Sequence, residues 1–295
     1  MNVSSPFFIV GTGRCGTTML RKLLQMHHDV HIPKETHFFP LLYDSFGQRE
    51  VDVTQLIDLA SRMYLAKGIS IFDRICTQQS LERAQFLADV RDAIGSEQCT
   101  VPAFMTGLYS VCGRAAGCSI VGDKTPDYGF CMGDLQQSWP NARFVHIFRD
   151  GRDVALSMRR VMSFRFLAAW KINHWWPIGL DRMYESKRIE AEGDLAVDVF
   201  FELWLQRFER IRDEATRLQP GSNLEIAYEQ VLADAHGTLS RIASFLSLPA
   251  DEGWIERAAA TVRSDNVSRN LEDADRRELT VRHAGQLRDL GLLPN

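Results

Sequence analysis

Four groups of residues in this 295-residue chain have the types and spacing to do chemistry. The first is Gly11-Thr12-Gly13-Arg14-Cys15-Gly16, followed by Thr17 and Thr18. Glycines let backbone approach a ligand closely, and a helix starting just after them turns its free N–H groups and positive dipole end toward an anion. The spacing is that of a phosphate-binding loop, G-x-x-x-x-G, but Thr17 stands where a nucleotide triphosphatase carries lysine. That lysine serves the β/γ-phosphates of a triphosphate. Its replacement points to a phosphate-containing ligand without a γ-phosphate, bound without metal, with Arg14 as the cation inside the loop.

The second group is Pro33-Lys34-Glu35-Thr36-His37-Phe38-Phe39. A carboxylate beside an anion site is electrostatically awkward unless it takes a proton from an incoming nucleophile, which makes Glu35 a candidate base. The plain alternative is a surface pair with Lys34. Third comes Asp123-Lys124-Thr125-Pro126, with Lys124 just past a strand. Fourth is Arg149-Asp150-Gly151-Arg152-Asp153, with Ser157 one turn into the next helix. Either Asp150 holds magnesium at the end of a strand, or Arg149 and Ser157 grip a second phosphate. The missing loop lysine favours the arginine, whose planar fork binds phosphate oxygens in pairs.

These groups need strands to place them. Phe7 to Val10, Val30 to Ile32, Ser119 to Gly122, Arg143 to Phe148 and Leu224 to Ala227 are short apolar runs that read as strands. Residues just past the C-terminal ends of parallel strands gather in one crevice, which is where all four groups fall. Helices are predicted after the loop, over 54–66, 81–94 (with Ser80 as N-cap), 103–116, 131–138, 195–218, 235–247 and 251–262. The predicted architecture is an α/β fold of P-loop type: a central, mainly parallel sheet with helices on both faces and a helical insertion over about 54–116. That insertion shows no chemistry of its own.

Composition is that of a globular enzyme, with 45% hydrophobic and 24% charged residues. A net charge of −4 gives no reason to expect nucleic acid as partner. No run of about twenty apolar residues suggests a membrane span. The first strand leaves no room ahead of it for a signal peptide, and the six cysteines show neither C-x-x-C pairs nor metal-ligand spacing. A cytoplasmic protein with reduced thiols is expected, Cys15 serving as a small residue in the loop. Phe164 to Pro177 interleaves aromatic and basic residues and reads either as a wall for an acceptor or as core. Arg152, Arg159, Arg160 and Arg165 would suit an acidic acceptor or a solvated helix face. The charged tail 263–295 reads as a segment folding over the ligand or as a solvated terminus.

With these residues in view, the chain resembles the sulfotransferases that use 3′-phosphoadenosine 5′-phosphosulfate (PAPS). The loop GTGRCGTT and the segment FRDGRDVALSM carry the resemblance, while KETHFF, GDKTPDY and Tyr228-Glu229-Gln230 resemble the glutamate-base branch that acts on tyrosylprotein and carbohydrate. The likeness runs from Phe7 to about residue 248, so the chain reads as one sulfotransferase domain over 1–295. It implies metal-free, single-displacement sulfuryl transfer to a hydroxyl of a small molecule, carbohydrate or peptide. Arg14, Cys15, Gly16, Thr17 and Thr18 would hold the 5′-phosphosulfate, and Arg149 and Ser157 the 3′-phosphate. Glu35 would be the base, with His37 as rival, and Lys124, aided by Arg14, would stabilise the leaving oxygen. Tyr228 would lie near the adenosine and Ser264 near the phosphosulfate. The Arg-Lys-Gly run of the cytosolic small-molecule enzymes is absent, as are the anchor and disulfides of the Golgi enzymes, so the resemblance points to a soluble bacterial relative.

Overall fold

A computed structural model describes residues 5–64, 69–174, 193–251, 253–262 and 274–294. At its centre lies β1 (Phe7–Val10), buried along its whole length as a strand covered on both faces must be. Its side chains alternate: Phe8 and Val10 enter one hydrophobic cluster, Phe7 and Ile9 another. The chain then forms α1 (Thr17–Leu24), β2 (Val30–His31), α2 (Phe38–Phe46), β3 (Val51–Asp52) and α3 (Val53–Ala60). Next come α4 (Ile71–Gln79), α5 (Arg83–Ile94), β4 (Gln98–Cys99), α6 (Val101–Ala116) and β5 (Ile120–Asp123). A 3₁₀ turn at Pro126–Phe130 leads to α7 (Met132–Ser138), β6 (Arg143–Phe148), α8 (Gly151–Arg159) and α9 (Met162–Ala169). The last described elements are α10 (Val197–Thr216), β7 (Asn223–Ala227), α11 (Tyr228–Ala233), α12 (Ala235–Leu246), α13 (Trp254–Ala259), α14 (Ala274–Arg282) and α15 (Ala284–Asp289).

The main sheet runs β2-β5-β1-β6-β7, and every pairing in it is parallel. β6 is longer than its neighbours and registers with both, Phe7 to Val10 of β1 against Arg143 to His146 on one side and Phe144 to Phe148 against Asn223 to Ala227 on the other. Helices α1, α12 and α13 pack on one face, the insertion on the other, which gives the predicted three layers. Because all strands point the same way, the loops after β1, β2, β5, β6 and β7 open at one edge.

The insertion departs from the predicted boundaries. The helix expected over 54–66 ends at Ala60, and a separate helix, α4, occupies residues 71–79. Ser80 closes α4 in the left-handed conformation (φ 54°) and does not begin α5, whose N-cap is Glu82. Two short strands, β3 and β4, pair antiparallel at its base. Part of the C-terminal segment packs on the fold. Over residues 274–294 it buries Leu279 and Leu287 against α8 and α10.

Candidate active site

The loop after β1 is shaped for close approach. Gly13 (φ 80°) and Gly16 (φ 99°) both adopt conformations that L side chains rarely take. A Cβ on Gly13 would meet the Phe164 ring at 2.5 Å, and one on Gly16 would meet the Tyr228 ring at 2.5 Å. No side chain caps the start of α1 and no acid lies in its first turn. Its free N–H groups are thus offered to a ligand from the strand edge. Arg14 and Thr18 are exposed on this loop, while Thr17 is buried. Cys15 is fully buried beneath it, and burial pushes its thiol above the ordinary range. Its side chain therefore packs, and only its backbone is left to face a ligand.

The loop after β1 meets helix α8 directly here, across 143 residues of sequence. Arg14 Nε donates to Ser157 Oγ at 3.0 Å. The Arg149 guanidinium lies 4.7 Å from the centre of the Tyr228 ring, which itself covers Gly16. Tyr228, at the start of α11, thereby ties the loop after β1 to the one after β6. Arg149 Nη2 reaches Asp153 at 3.2 Å, and its buried Nε has no hydrogen-bond partner. A buried guanidinium N–H left unpaired is costly, and an anion bound there would relieve it.

Asp150 is occupied elsewhere. It caps α8, accepts a two-pronged pair from Arg152 and takes a further bond from Arg276 at 3.0 Å. Arg276 also reaches Asp153 at 3.1 Å, which locks α14 onto α8. The carboxylate thus holds two arginines, Arg152 and Arg276. Arg159 pairs Asp275 at 2.5 Å and Arg165 donates to the Arg159 carbonyl. Both cations thus have partners within the chain.

Opposite the loop, Glu35 Oε1 accepts from Lys124 Nζ, and its Oε2 accepts from Arg74 at 2.6 Å. Lys124 Nζ also lies 3.4 Å from Thr18 Oγ1, so one buried ammonium spans the candidate base and the candidate anion loop. Desolvation alone would raise the Glu35 pKa, but Lys124 and Arg74 outweigh it and bring it down to about 2. Burial lowers the Lys124 pKa, with Glu35 opposing that shift. About a fifth of the Glu35 side chain stays exposed, against 4% for Lys124. His37, held at φ 55°, is buried, and desolvation lowers its pKa. A neutral, enclosed imidazole is less accessible than the neighbouring carboxylate.

Why Glu35 and Lys124 meet is written in the residues beside them. Asp123 is fully buried and accepts from Thr36 (2.6 Å), Thr125 (2.7 Å) and Tyr109 (2.8 Å). Tyr128 closes the ring, its hydroxyl 2.6 Å from Thr36 Oγ1 and accepting the Phe39 N–H. This network binds KETHFF to DKTPDY side by side. Desolvation raises Asp123 to about 6 even though its three partners pull the other way.

Sequence reasoning missed two arginines. Arg74, on the supposedly inert insertion, contacts the candidate base. Arg207, fully buried on α10, donates to the Thr12 carbonyl at 2.7 Å and to Asp127 at 2.5 Å, with the Phe130 ring 4.8 Å from its guanidinium. It braces the loop from below. Of the aromatic stretch, Phe166 is core and Phe164 packs over Gly13, while Trp175 and Trp176 lie outside the described residues, as does Ser264.

The chain belongs to the sulfotransferases: residues 6–252 match the Sulfotransferase family. It is 26% identical over 164 residues to nodulation protein NoeE of Sinorhizobium fredii (strain NBRC 101917 / NGR234). That match covers 55% of this chain and 32% of NoeE, so the chain aligns with about a third of that relative's length. Its fold is similar to the sulfotransferase domain from the curacin biosynthetic pathway (TM-score 0.57, 14% identity, covering 96% of this chain and 99% of that one). It is also similar to sulfotransferase STF9 from Mycobacterium avium (TM-score 0.50, 15% identity, covering 98% and 77%). At these identities the two structures bear on the fold alone. Among the described residues no helix is long and apolar enough to cross a membrane.

Proposed function

We propose that this chain transfers a sulfuryl group from PAPS to an acceptor hydroxyl by in-line single displacement, as a glutamate-base sulfotransferase acting over the whole chain. The observation that carries this reading is the Glu35–Lys124 pair, set against Thr18 of the glycine loop. The loop from Arg14 to Thr18 would bind the 5′-phosphosulfate, and Arg149 with Ser157 the 3′-phosphate. Two cationic sockets joined by the Arg14–Ser157 bond suit a nucleotide that is anionic at both ends.

In the transfer, the acceptor oxygen forms a bond to sulfur while the bond from sulfur to the phosphate oxygen breaks. The acceptor proton passes to Glu35, and the electron pair stays on the phosphate oxygen of PAP, the 3′,5′-bisphosphate product. Lys124, drawn from Glu35 toward that oxygen, meets the charge where it develops, with Arg14 assisting. The same movement restores basicity to Glu35, which at about 2 in the ion pair is a weak acceptor of protons. No step in this scheme calls on a metal ion. Six free thiols suit a reducing, cytoplasmic setting.

The test is incubation with sulfur-35-labelled PAPS in EDTA, using a phenol, an amino sugar and a tyrosyl peptide as acceptors. Label transfer with stoichiometric PAP release is expected for at least one class. PAP binding without label transfer to any class would contradict a catalytic role.

A further inference from the structure

One helix of the insertion, α4, bonds the candidate base itself. Helix α4 buries Ile71, Phe72 and Ile75 and turns Arg74 and Gln78, four residues apart, toward the strip 32–35. Gln78 accepts from the Lys34 N–H at 2.6 Å and donates to the Ile32 carbonyl at 3.4 Å. The backbone of the strip is thus fixed from α4, and Arg74 Nη2 takes one oxygen of the Glu35 carboxylate at 2.6 Å. The other oxygen belongs to Lys124. Resting on the proposed function, we infer that Arg74 is a positioning residue for the transfer step: it holds Oε2 of Glu35 so that Oε1 meets the acceptor hydroxyl, and keeps the carboxylate anionic once Lys124 turns to the donor.

The geometry gives the two cations different tasks. Lys124 is almost wholly buried and within reach of Thr18, so it has a second anion to visit. Arg74 has 24% of its side chain exposed, and its bond to Glu35 anchors it to the base. Without Arg74, departure of Lys124 would leave a largely desolvated carboxylate with no cation bonded to it, so that its pKa rises and its orientation toward the acceptor is lost. The other charged or titratable groups facing Glu35 are His37, on its own strip, and Arg21, on α1. His37 is kept neutral by burial, and Arg21 is directed at the Ile32 carbonyl. Neither replaces a guanidinium bonded to Oε2.

The experiment follows the Glu35 carboxyl by carbon-13 NMR in glutamate-labelled protein, with and without saturating PAP, assigning the signal by its loss in Glu35→Gln. In Arg74→Gln with PAP bound, the Glu35 midpoint is expected to rise by roughly 1–3 pH units, with Arg74→Lys recovering part of the difference and PAP affinity unchanged. PAP release from PAPS should fall in Arg74→Gln but show no further fall when that change is added to Glu35→Gln. An unmoved midpoint with PAP bound, or equal losses in both backgrounds, would overturn the role of Arg74. Failure of the wild-type chain to bind PAP would instead remove the sulfotransferase reading itself. The lysine variant keeps the test open should the glutamine variant fold poorly.

Discussion

The two sides of the crevice are built by different means. The donor side, formed by the loop after β1 and the start of α8, takes its chemistry from short contiguous motifs. Its proposed binding groups are backbone N–H groups, one helix start and the arginines beside them, made by local sequence and braced by Arg207 and Tyr228. The acceptor side is assembled from Glu35, Lys124 and Arg74, which come from three separate stretches and meet only through a buried network around Asp123 and the packing of α4. The proposed anion site thus rests on local structure braced by tertiary contacts, and the proposed proton-accepting site on tertiary structure throughout.

Variants should expose that division. The largest effect is expected from Glu35→Gln, which should lower turnover of PAPS by roughly 10²–10⁴-fold while leaving PAP affinity intact. Near-normal turnover would strip Glu35 of its role and leave the acceptor side without a base. Next comes Arg207→Ala, which leaves Asp127 buried without its cation and the Thr12 carbonyl without its donor. Loss of one partner from a buried pair costs about 3–5 kcal/mol, to be read as a lower denaturation midpoint together with weaker PAP binding. A stable Arg207→Ala protein with normal affinity would show that the loop holds its shape without support.

Arg149→Ala is the sharper probe of the donor side. A charge-assisted hydrogen bond contributes about 1.5–3 kcal/mol, so PAP binding should weaken by roughly 10- to 100-fold. Binding of adenosine 5′-monophosphate, which lacks the 3′-phosphate, should change little. Equal losses for both nucleotides would sink the 3′-phosphate assignment.

The smallest effect concerns pH. Glu35 has a folded pKa of about 2 against an ordinary 4.5, so it binds fewer protons folded than unfolded in that interval. Its contribution to stability is present above pH 4.5 and is lost as pH falls toward 2. Glu35→Gln should therefore flatten the acid limb of stability measured by denaturant titration. An unchanged limb would mean that the carboxylate gains nothing from its two cations.

The same division explains what the sequence disclosed. Strands β1 and β6 and the loops after them were legible, because an apolar run ending in glycines or arginines before an amphipathic helix has few other readings. Glu35 and Lys124 could be named, but not the reason they meet, since Thr36, Asp123 and Tyr128 look like ordinary polar residues until a fold buries them together. In the insertion, Ser80 was misread as a helix start because a serine suits an N-cap, whereas tertiary packing holds it left-handed at the end of α4. Arg74 and Arg207 gave no signal at all. An arginine in an amphipathic helix reads as a solvated side chain unless its partner is known. The strands β3 and β4, two residues each, are too short for any periodicity to mark them.

One site is proposed to hold a nucleotide anionic at both ends. The measurement that tests it most directly is calorimetric titration with PAP, adenosine 5′-monophosphate and ATP, each with and without magnesium. Tight, magnesium-independent binding of PAP, well above that of either other nucleotide, is the predicted result. Preference for ATP with magnesium would contradict it, since the Arg149–Ser157 side would then have no phosphate to hold and Asp150 would have to leave its arginines for a metal.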